Sequence, residues 1–387
     1  MENFIFHNPT KLIFGKGTIP QIGSEIAKQG YRKVLLLYGQ GSIKRNGVYE
    51  RVISSLKEND LQCVELSGVK PNPLLSKVKE GIELSSKEKV EAILAVGGGS
   101  VIDSAKAIAV GFYYSGDIWD IFLGKHSPEK ALPIFTVLTM SATGSEMNCG
   151  AVVTKDETLE KYSFVSEHVY PRVSIVDPSV QFTLPAEQTV YGAIDTIAHV
   201  LEYYFDGSDS EIQNELSEGI IRAVISTTER LLQNPKDYEA RSNMAWSATV
   251  ALNGLTGAGR RGGDWSCHRI EHALSALYDI AHGAGLAIVM PAWMKYVYTS
   301  KPAQFERFAH KVFGIIEKGE EGIIKGIAIF KEWMKQVGAP VSLEDIGVEE
   351  KDIPKIVDNV MALGEPFGNL RMLYRKDVEA ILKIASL

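Results

Sequence analysis

Short apolar runs alternate with amphipathic stretches through the first half of the chain. The β-rich runs lie at 33–39, 62–68, 91–100, 133–139, near 151 and at 173–178. Between them, apolar residues recur at helical spacing, as in VYERVISSLKEND and SKVKEGIELSSKEK. Strands that alternate with helices in this way form βαβ units. The pattern therefore predicts an α/β, Rossmann-like domain built on a parallel sheet.

The pattern changes near Pro185. Beyond it the β-branched runs largely disappear, and apolar residues follow helical spacing, as in TVYGAIDTIAHVLEYYF and NELSEGIIRAVISTTERLL. A proline just before a helix start, in TLPAEQ, is typical of a boundary. The sequence predicts an α/β domain over residues 1–185 and an all-α domain over 186–387, with a ligand cleft between them.

Composition narrows the classes of partner. The chain has 387 residues, 45% hydrophobic and 23% charged, and a net charge of −7. An acidic chain has no broad attraction for nucleic acid or anionic lipid, so neither nucleic-acid nor membrane partners are expected. The first residues lack the basic and apolar segments of a secretory signal. Three scattered cysteines favour a reducing compartment, so the cytoplasm is expected.

A glycine run opens the predicted helix near Val101. The sequence AVGGGSVIDSAKAIA joins a buried-looking strand to three glycines and a helix start. Glycine allows a ligand to approach the backbone closely, and the helix start presents unpaired N–H groups to an anion. A pyrophosphate fits these properties, although the run does not match the GxGxxG fingerprint. The alternative is an ordinary tight turn.

A second glycine-rich turn, YGQGSIKRNG, follows the first predicted strand. In a doubly wound sheet this turn meets the adenosine ribose, and a carboxylate there would hold the 2′-hydroxyl of NAD. Gly39 and Ser42 stand there instead, followed by Lys44 and Arg45. The turn favours NADP(H) over NAD(H), the alternative being that the two basic residues are solvated loop charges.

The helical half carries a candidate metal site. Asp195 and His199 are four residues apart, which places both on one helix face. His268, His272 and His282 follow within a short stretch of a chain that has only eight histidines. One carboxylate and several imidazoles suit ferrous iron or zinc. Two alternatives stay open: ordinary helix histidines, and a zinc protease, because residues 268–272 fit H-x-x-E-H.

These motifs resemble the iron-containing (group III) alcohol dehydrogenases, especially their butanol dehydrogenase and NADPH-dependent aldehyde reductase branch. The resemblance covers essentially the whole chain. Its long motifs run from Asp177 through Glu202 and from Trp265 through Gly285, and its shorter ones are GGGSVID and TMSATGSE. The resemblance implies a dehydroquinate synthase-like fold, with dinucleotide binding by residues 1–185 and metal binding by residues 186–387.

The resemblance also implies roles for individual residues. The metal ligands would be Asp195, His199, His268 and His282, with His272 near the nicotinamide and the substrate. The cofactor contacts would be Gly97, Gly98, Gly99 and Ser100 at the pyrophosphate, Asp103 beside it, and Asn72, Thr139, Thr143 and Lys161. Gly39 stands where NAD-preferring relatives tend to carry an aspartate. The usual metal is Fe²⁺, with Zn²⁺ in some relatives, and dimers or larger homo-oligomers are common.

The hypothesis is a metal-dependent oxidoreductase that transfers hydride between NAD(P)(H) and a small aliphatic alcohol or aldehyde. His272 would relay the proton or, alternatively, orient other groups of the site. A glycerol dehydrogenase or dehydroquinate synthase relative would share the fold but act on polyols or sugar phosphates. A zinc protease would cleave peptides without nicotinamide. A non-catalytic binding protein would bind the metal and the cofactor without turnover.

Overall fold

A computed structural model describes residues 1–387. A six-stranded sheet has the order β1-β8-β5-β4-β2-β3, and all of its neighbouring strands are parallel. An antiparallel pair, β6 and β7, forms a second, two-stranded sheet. The strands are β1 (Lys11–Phe14), β2 (Lys33–Tyr38), β3 (Gln62–Leu66), β4 (Ala92–Gly97), β5 (Ile134–Leu138), β6 (Gly150–Lys155), β7 (Glu160–Val165) and β8 (Val173–Val176).

Helices alternate with the strands before Pro185, and only helices follow after it. Before Pro185 they are α1 (Ile22–Lys28), α2 (Ser42–Arg45), α3 (Val48–Glu58), α4 (Leu75–Glu88), α5 (Gly99–Gly111) and α6 (Trp119–Phe122). After it they are α7 (Ala186–Tyr204), α8 (Glu211–Gln233), α9 (Tyr238–Ala251), α10 (Ser266–Tyr278), α11 (His282–Val297), α12 (Pro302–Phe313), α13 (Gly319–Gln336), α14 (Ile353–Met361) and α15 (Arg375–Ala385). The predicted fold class, an α/β half followed by a helical half, is confirmed.

Strand β2 shows why the sheet is covered on both faces. Successive side chains of a strand point to opposite faces. Leu35 and Leu37 pack in one core with residues of α4 and α5, whereas Val34 and Leu36 pack in the other core with residues of α1 and α3. All four side chains are fully buried, which explains the unbroken apolar run in the sequence.

Two strands and one helix boundary differ from the sequence prediction. Strand β1 is a four-residue edge strand and β7 mixes polar with apolar residues, so neither gave a clear β-rich run. Helix α5 begins at Gly99, slightly before the predicted start near Val101. The earlier start places the helix terminus directly against the glycine run.

The chain forms two compact units. One contains residues 7–184 with 234–249, and the other contains residues 1–6, 185–233 and 250–387. A short N-terminal segment thus belongs to the helical unit, and most of α9 belongs to the sheet unit. No helix in residues 1–387 combines the length and the apolar character needed to cross a membrane.

Candidate metal and dinucleotide sites

The glycine-rich turns meet at the carboxyl edge of the six-stranded sheet. Tyr38 of β2 pairs with Val96 of β4, and Gly97 pairs with Leu138 of β5, so the residues after these strands are neighbours. The backbone N–H of Thr139 donates to the carbonyl of Gly97 at 3.0 Å. Ligands of parallel sheets bind at this edge. The sheet therefore brings together three segments predicted to contact the cofactor.

Close neighbours require glycine at two positions of the three-glycine run, Gly97 and Gly99, and leave little room at Gly98. A Cβ on Gly97 would lie 2.4 Å from Val101 Cγ2, and a Cβ on Gly99 would lie 2.4 Å from Thr143 Oγ1. A Cβ on Gly98 would lie 3.3 Å from the Cβ of Met140. The residues around the turn thus fill the space that side chains would need at Gly97 and Gly99.

Helix α5 begins at this turn without a side-chain cap. Gly98 is the N-cap residue, has extended backbone geometry and offers no side-chain hydrogen bond to the first turn. The N–H groups of Gly99 and Ser100 therefore lack intrahelical partners and lie at the positive end of the helix dipole, whereas those of Val101 and Ile102 donate to the Gly98 carbonyl. With Ser100 in the first turn, this geometry suits an anion such as a pyrophosphate.

The remaining predicted cofactor residues have varied surroundings. Lys161 Nζ donates to Asn72 Oδ1 at 3.0 Å, and both side chains are buried. Ser42 is exposed at the start of α2. Asp103 is bonded internally: its Oδ1 accepts from Ser145 Oγ at 2.6 Å. Burial raises the pKa of the Asp103 carboxyl.

Three helices of the other unit position the candidate metal ligands. Asp195 and His199 lie one turn apart on α7, His268 lies in the first turn of α10, and His282 begins α11. Asp279 ends α10 in the left-handed region, which reverses the chain between the last two histidines. Segments far apart in the sequence thus supply one cluster.

The four side chains converge on one carboxylate oxygen. Asp195 Oδ1 lies 3.5 Å from His199 Nδ1, 3.9 Å from His268 Nε2 and 3.5 Å from His282 Nε2. Metal–ligand bonds of about 2.1 Å in tetrahedral geometry separate neighbouring donor atoms by roughly 3.4 Å. The donor atoms of Asp195, His268 and His282 all lie within 4.8 Å of one another, which fits one divalent ion, and His199 Nδ1 approaches the same carboxylate oxygen. Mixed carboxylate and imidazole donors suit zinc or ferrous iron.

Two buried glutamates hold the histidines of the cluster. Glu202 Oε1 lies 2.7 Å from His268 Nδ1, and Glu271 Oε2 contacts His282 Nδ1. When a carboxylate accepts a hydrogen bond from the Nδ1–H group, the proton stays on Nδ1 and the lone pair of Nε2 is free to bind a metal. The Nε2 atom of His268 is buried without a hydrogen-bond partner. This orientation is the one that a metal ligand needs.

The imidazoles of His199 and His268 have pKa values shifted in opposite directions. Burial lowers the pKa of His199 well below its ordinary value, and the neighbouring His268 and His282 lower it further. Burial also disfavours protonation of His268, but the carboxylates of Glu202, Asp195 and Glu271 together outweigh it and raise the pKa of that imidazole. A neutral His199 can donate a lone pair, which is what metal coordination requires.

His272 lies beside the cluster rather than in it. It is half-buried on α10, and its ring centroid lies 6.5 Å from that of His268 and 5.6 Å from that of His282. One ligating atom each of Glu271, His272 and His282 also lie within 4.8 Å of one another. The histidine is therefore close enough to act on a ligand bound at the cluster.

Sequence reasoning did not give Glu202 and Glu271 their roles. In the sequence, Glu202 stands out only as the end of the motif that begins at Asp177, and Glu271 only as the glutamate of the H-x-x-E-H pattern at residues 268–272. Helical spacing contains a signal for each: Glu202 follows Asp195 by two turns on α7, and Glu271 follows His268 by one turn on α10. Because Glu271 is fully buried and contacts Ser275 and His282, it is not placed to activate a water for peptide cleavage.

A doubly wound sheet with a glycine turn at its carboxyl edge, and a helical unit with a metal-type cluster, together define the class of metal-dependent nicotinamide oxidoreductases. Residues 9–178 match the iron-containing alcohol dehydrogenase family, and residues 189–386 match its C-terminal domain. The chain belongs to the iron-containing alcohol dehydrogenase family. It is an enzyme that uses a metal and NAD(P) to oxidise or reduce a small alcohol or aldehyde.

Known relatives span nearly the full chain. A probable NADH-dependent butanol dehydrogenase of Bacillus subtilis is 44% identical, with 99% of both chains covered. An NADPH-dependent aldehyde reductase of Escherichia coli is 38% identical, with 92% of both covered. The crystal structure of an NADH-dependent butanol dehydrogenase A from Thermotoga maritima is 65% identical, with a TM-score of 0.99 and coverage of 100% of this chain and 99% of that one.

Proposed function

We propose that the enzyme interconverts short aliphatic aldehydes and alcohols with NADP(H), using one divalent ion held by Asp195, His199, His268 and His282. The observation that carries this proposal is the convergence of three imidazole nitrogens within 3.9 Å of Asp195 Oδ1. Fe²⁺ is the proposed ion because the family is named for iron. Zn²⁺ would accept the same donors.

Each residue of the site then has a task. When bound, the ion supplies Lewis-acid polarisation of a carbonyl, and the dinucleotide supplies the hydride. Glu202 and Glu271 keep the His268 and His282 rings oriented through their Nδ1 atoms. The glycine turn at Gly97–Gly99 binds the pyrophosphate through backbone N–H groups. His272 delivers a proton from its ring N–H to the substrate oxygen during reduction.

Aromatic side chains near the cluster support an apolar substrate. The half-buried Trp265 ring lies 5.3 Å from the His268 ring and 6.3 Å from the His199 ring, measured between centroids. Tyr203 packs edge-on against Trp265 at 5.4 Å. Apolar walls favour alkyl chains over polyols. We therefore propose butanal-sized aldehydes and the corresponding alcohols as substrates.

An aldehyde reduction assay tests the activity directly. Purified enzyme loaded with Fe²⁺ or Zn²⁺ is given butanal and NADPH, and the loss of reduced-cofactor absorbance is followed. Glycerol with NADP⁺ is the matched alternative substrate. We expect turnover of butanal and little with glycerol. A clear preference for glycerol would favour the polyol dehydrogenase alternative, and metal and cofactor binding without turnover on either substrate would overturn the proposed activity.

The proposal of NADP(H) rests on the turn after β2. Gly39 carries no carboxylate, and Lys44 Nζ lies 5.2 Å from the Tyr38 ring centroid and 4.6 Å from that of Tyr49. This contact keeps a positive charge beside the turn, where a 2′-phosphate would be attracted. The butanol dehydrogenases among the relatives are named NADH-dependent and the aldehyde reductase NADPH-dependent, so the preference for NADP(H) is proposed from the turn alone.

Cofactor preference is predicted to follow Gly39. We expect a higher kcat/KM with NADPH than with NADH, and we expect Gly39→Asp to shift the ratio about 10- to 100-fold towards NADH, since a carboxylate repels the 2′-phosphate and accepts from the ribose hydroxyl. A Cβ at Gly39 would lie 3.5 Å from the carbonyl oxygen of Val69, an ordinary contact, so the variant should fold. Initial rates with both cofactors measure the ratio. A wild-type preference for NADH would contradict the assignment of this turn to NADP(H).

Three further assignments belong with this proposal. Residues 1–185 would bind the dinucleotide and residues 186–387 the metal. We propose a homodimer or larger homo-oligomer, which light scattering of the purified enzyme would test. The cysteines Cys63, Cys149 and Cys267 are all free thiols, which supports the expected cytoplasmic location.

A further inference from the structure

A fully buried lysine lies on the helix that begins at the glycine turn. Lys106 Nζ donates to Ser145 Oγ at 2.8 Å, to Asn148 O and Oδ1 at 2.9 Å each, and to Gly150 O at 2.8 Å. Burial lowers the pKa of Lys106 to about 8, so the ammonium form still predominates at neutral pH. Removing an ammonium group from water costs several kcal/mol unless its hydrogens are satisfied. The three ammonium hydrogens are shared among four acceptors, and all four belong to residues 145–150.

Asp103, one turn earlier on α5, also forms hydrogen bonds with the segment 145–152. Its Oδ1 accepts from Ser145 Oγ at 2.6 Å, and its Oδ2 accepts from the N–H of Val152 at 3.1 Å. Ser145 Oγ therefore accepts from Lys106 and donates to Asp103, which joins the two charges through one hydroxyl. The inner face of α5 thus holds the segment 145–152 at several points.

Two residues of the segment 145–152 form hydrogen bonds with Thr143. The N–H of Ser145 donates to Thr143 Oγ1 at 3.1 Å, and Asn148 Nδ2 donates to the carbonyl of Thr143 at 3.2 Å. Thr143 in turn faces Gly99, where an added Cβ would lie 2.4 Å from its Oγ1. Lys106 and Asp103 therefore fix the position of Thr143 against the glycine turn indirectly, through their hydrogen bonds to the segment 145–152.

We propose that Lys106 is a positioning residue for the dinucleotide, which fixes the separation of Thr143 from Gly99 without touching the cofactor itself. This inference rests on the proposed cofactor role of the glycine turn. A purely structural lysine would lower the stability of the fold when replaced, but would leave the cofactor affinity of the folded protein unchanged. The two roles therefore differ in a measurable way.

The test compares Lys106→Met with two reference variants. Gly99→Ala directly changes the separation of Thr143 from residue 99, because the added Cβ would lie 2.4 Å from Thr143 Oγ1. Ser55→Ala removes two buried hydrogen bonds elsewhere in the same unit, because Ser55 Oγ donates to Pro20 O at 2.6 Å and accepts from Gly23 N at 2.9 Å. The dissociation constants of NADPH and NADH are measured by fluorescence titration of metal-free protein, and thermal melting reports stability.

We expect Lys106→Met to weaken cofactor binding about tenfold or more, in the same direction as Gly99→Ala, because small misplacements of binding groups are costly. Ser55→Ala should lower the melting temperature and leave the dissociation constant unchanged. At saturating cofactor, the kcat of metal-loaded Lys106→Met should stay within about threefold of wild type.

Two results separate the possible failures. If folded Lys106→Met binds the cofactor as wild type does, while Gly99→Ala does not, the positioning role is overturned and the proposed function stands. If the wild-type protein binds neither NADPH nor NADH, the cofactor assignment itself fails. Should Lys106→Met not fold, Ser145→Ala carries the test, since it removes only the hydroxyl that joins Lys106 to Asp103. Unchanged affinity in that variant would equally overturn the inference.

Discussion

Replacing His268 with alanine is expected to remove both the bound metal and the activity. Its Nε2 lies 3.9 Å from Asp195 Oδ1 in the cluster, and its Nδ1 is held by Glu202. Loss of one of the four proposed donors also leaves the buried Glu202 carboxylate without its imidazole partner. Since the ion supplies several kcal/mol of stabilisation of the developing charge, turnover should fall by at least about 10³-fold. Elemental analysis and the butanal assay measure the two losses.

The control for this experiment is His126→Ala. His126 is exposed and lies in the sheet unit, outside the cluster, so the variant should keep its metal and its rate. Asp195→Asn is a second, nearly isosteric variant that removes the charge at the centre of the cluster. An active His268→Ala enzyme without metal would contradict the proposed mechanism.

The fold could be predicted where periodicity is strong. Strands β2, β4 and β5 are buried on both faces, so their sequences are continuous apolar runs with clear boundaries. Strand β1 has only four residues at a sheet edge, and β7 pairs only with β6, so their patterns were too short or too mixed. Residues 1–6 belong to the helical unit and residues 234–249 to the sheet unit. This assignment depends on tertiary contacts, which no local pattern in the sequence encodes.

The proximity of the candidate metal ligands could be predicted because these residues keep informative spacing. Asp195 and His199 share a helix face, and the other histidines concentrate in a short stretch of the sequence. The residues that orient them gave a weaker signal, because a buried glutamate on a helix has many possible partners. Only the structure shows that Glu202 faces His268 and that Glu271 faces His282.

The carboxyl edge of the six-stranded sheet shows where sequence-based prediction fails. The glycines were evident because few other residues allow so close a backbone approach. The network of Lys106, Asp103 and Ser145 was not, since a lysine within a helical run is usually solvated. Its acceptors lie about 40 residues further along the chain, at Ser145, Asn148 and Gly150. Such contacts follow from the packing of α5 against the start of β6.

Replacing His272 with alanine is expected to lower kcat by about 10²- to 10⁴-fold while the metal content stays at the wild-type level. The difference from His268→Ala follows from position, because the His272 ring centroid lies 6.5 Å from that of His268 and 5.6 Å from that of His282. His272 is thus beside the proposed ligands and can deliver a proton to a substrate oxygen without holding the ion. His272→Asn, which retains a hydrogen-bond donor but cannot relay a proton at neutral pH, should be impaired almost as much as His272→Ala. If instead both variants lose metal and keep kcat per bound ion, His272 orients the site rather than transferring the proton.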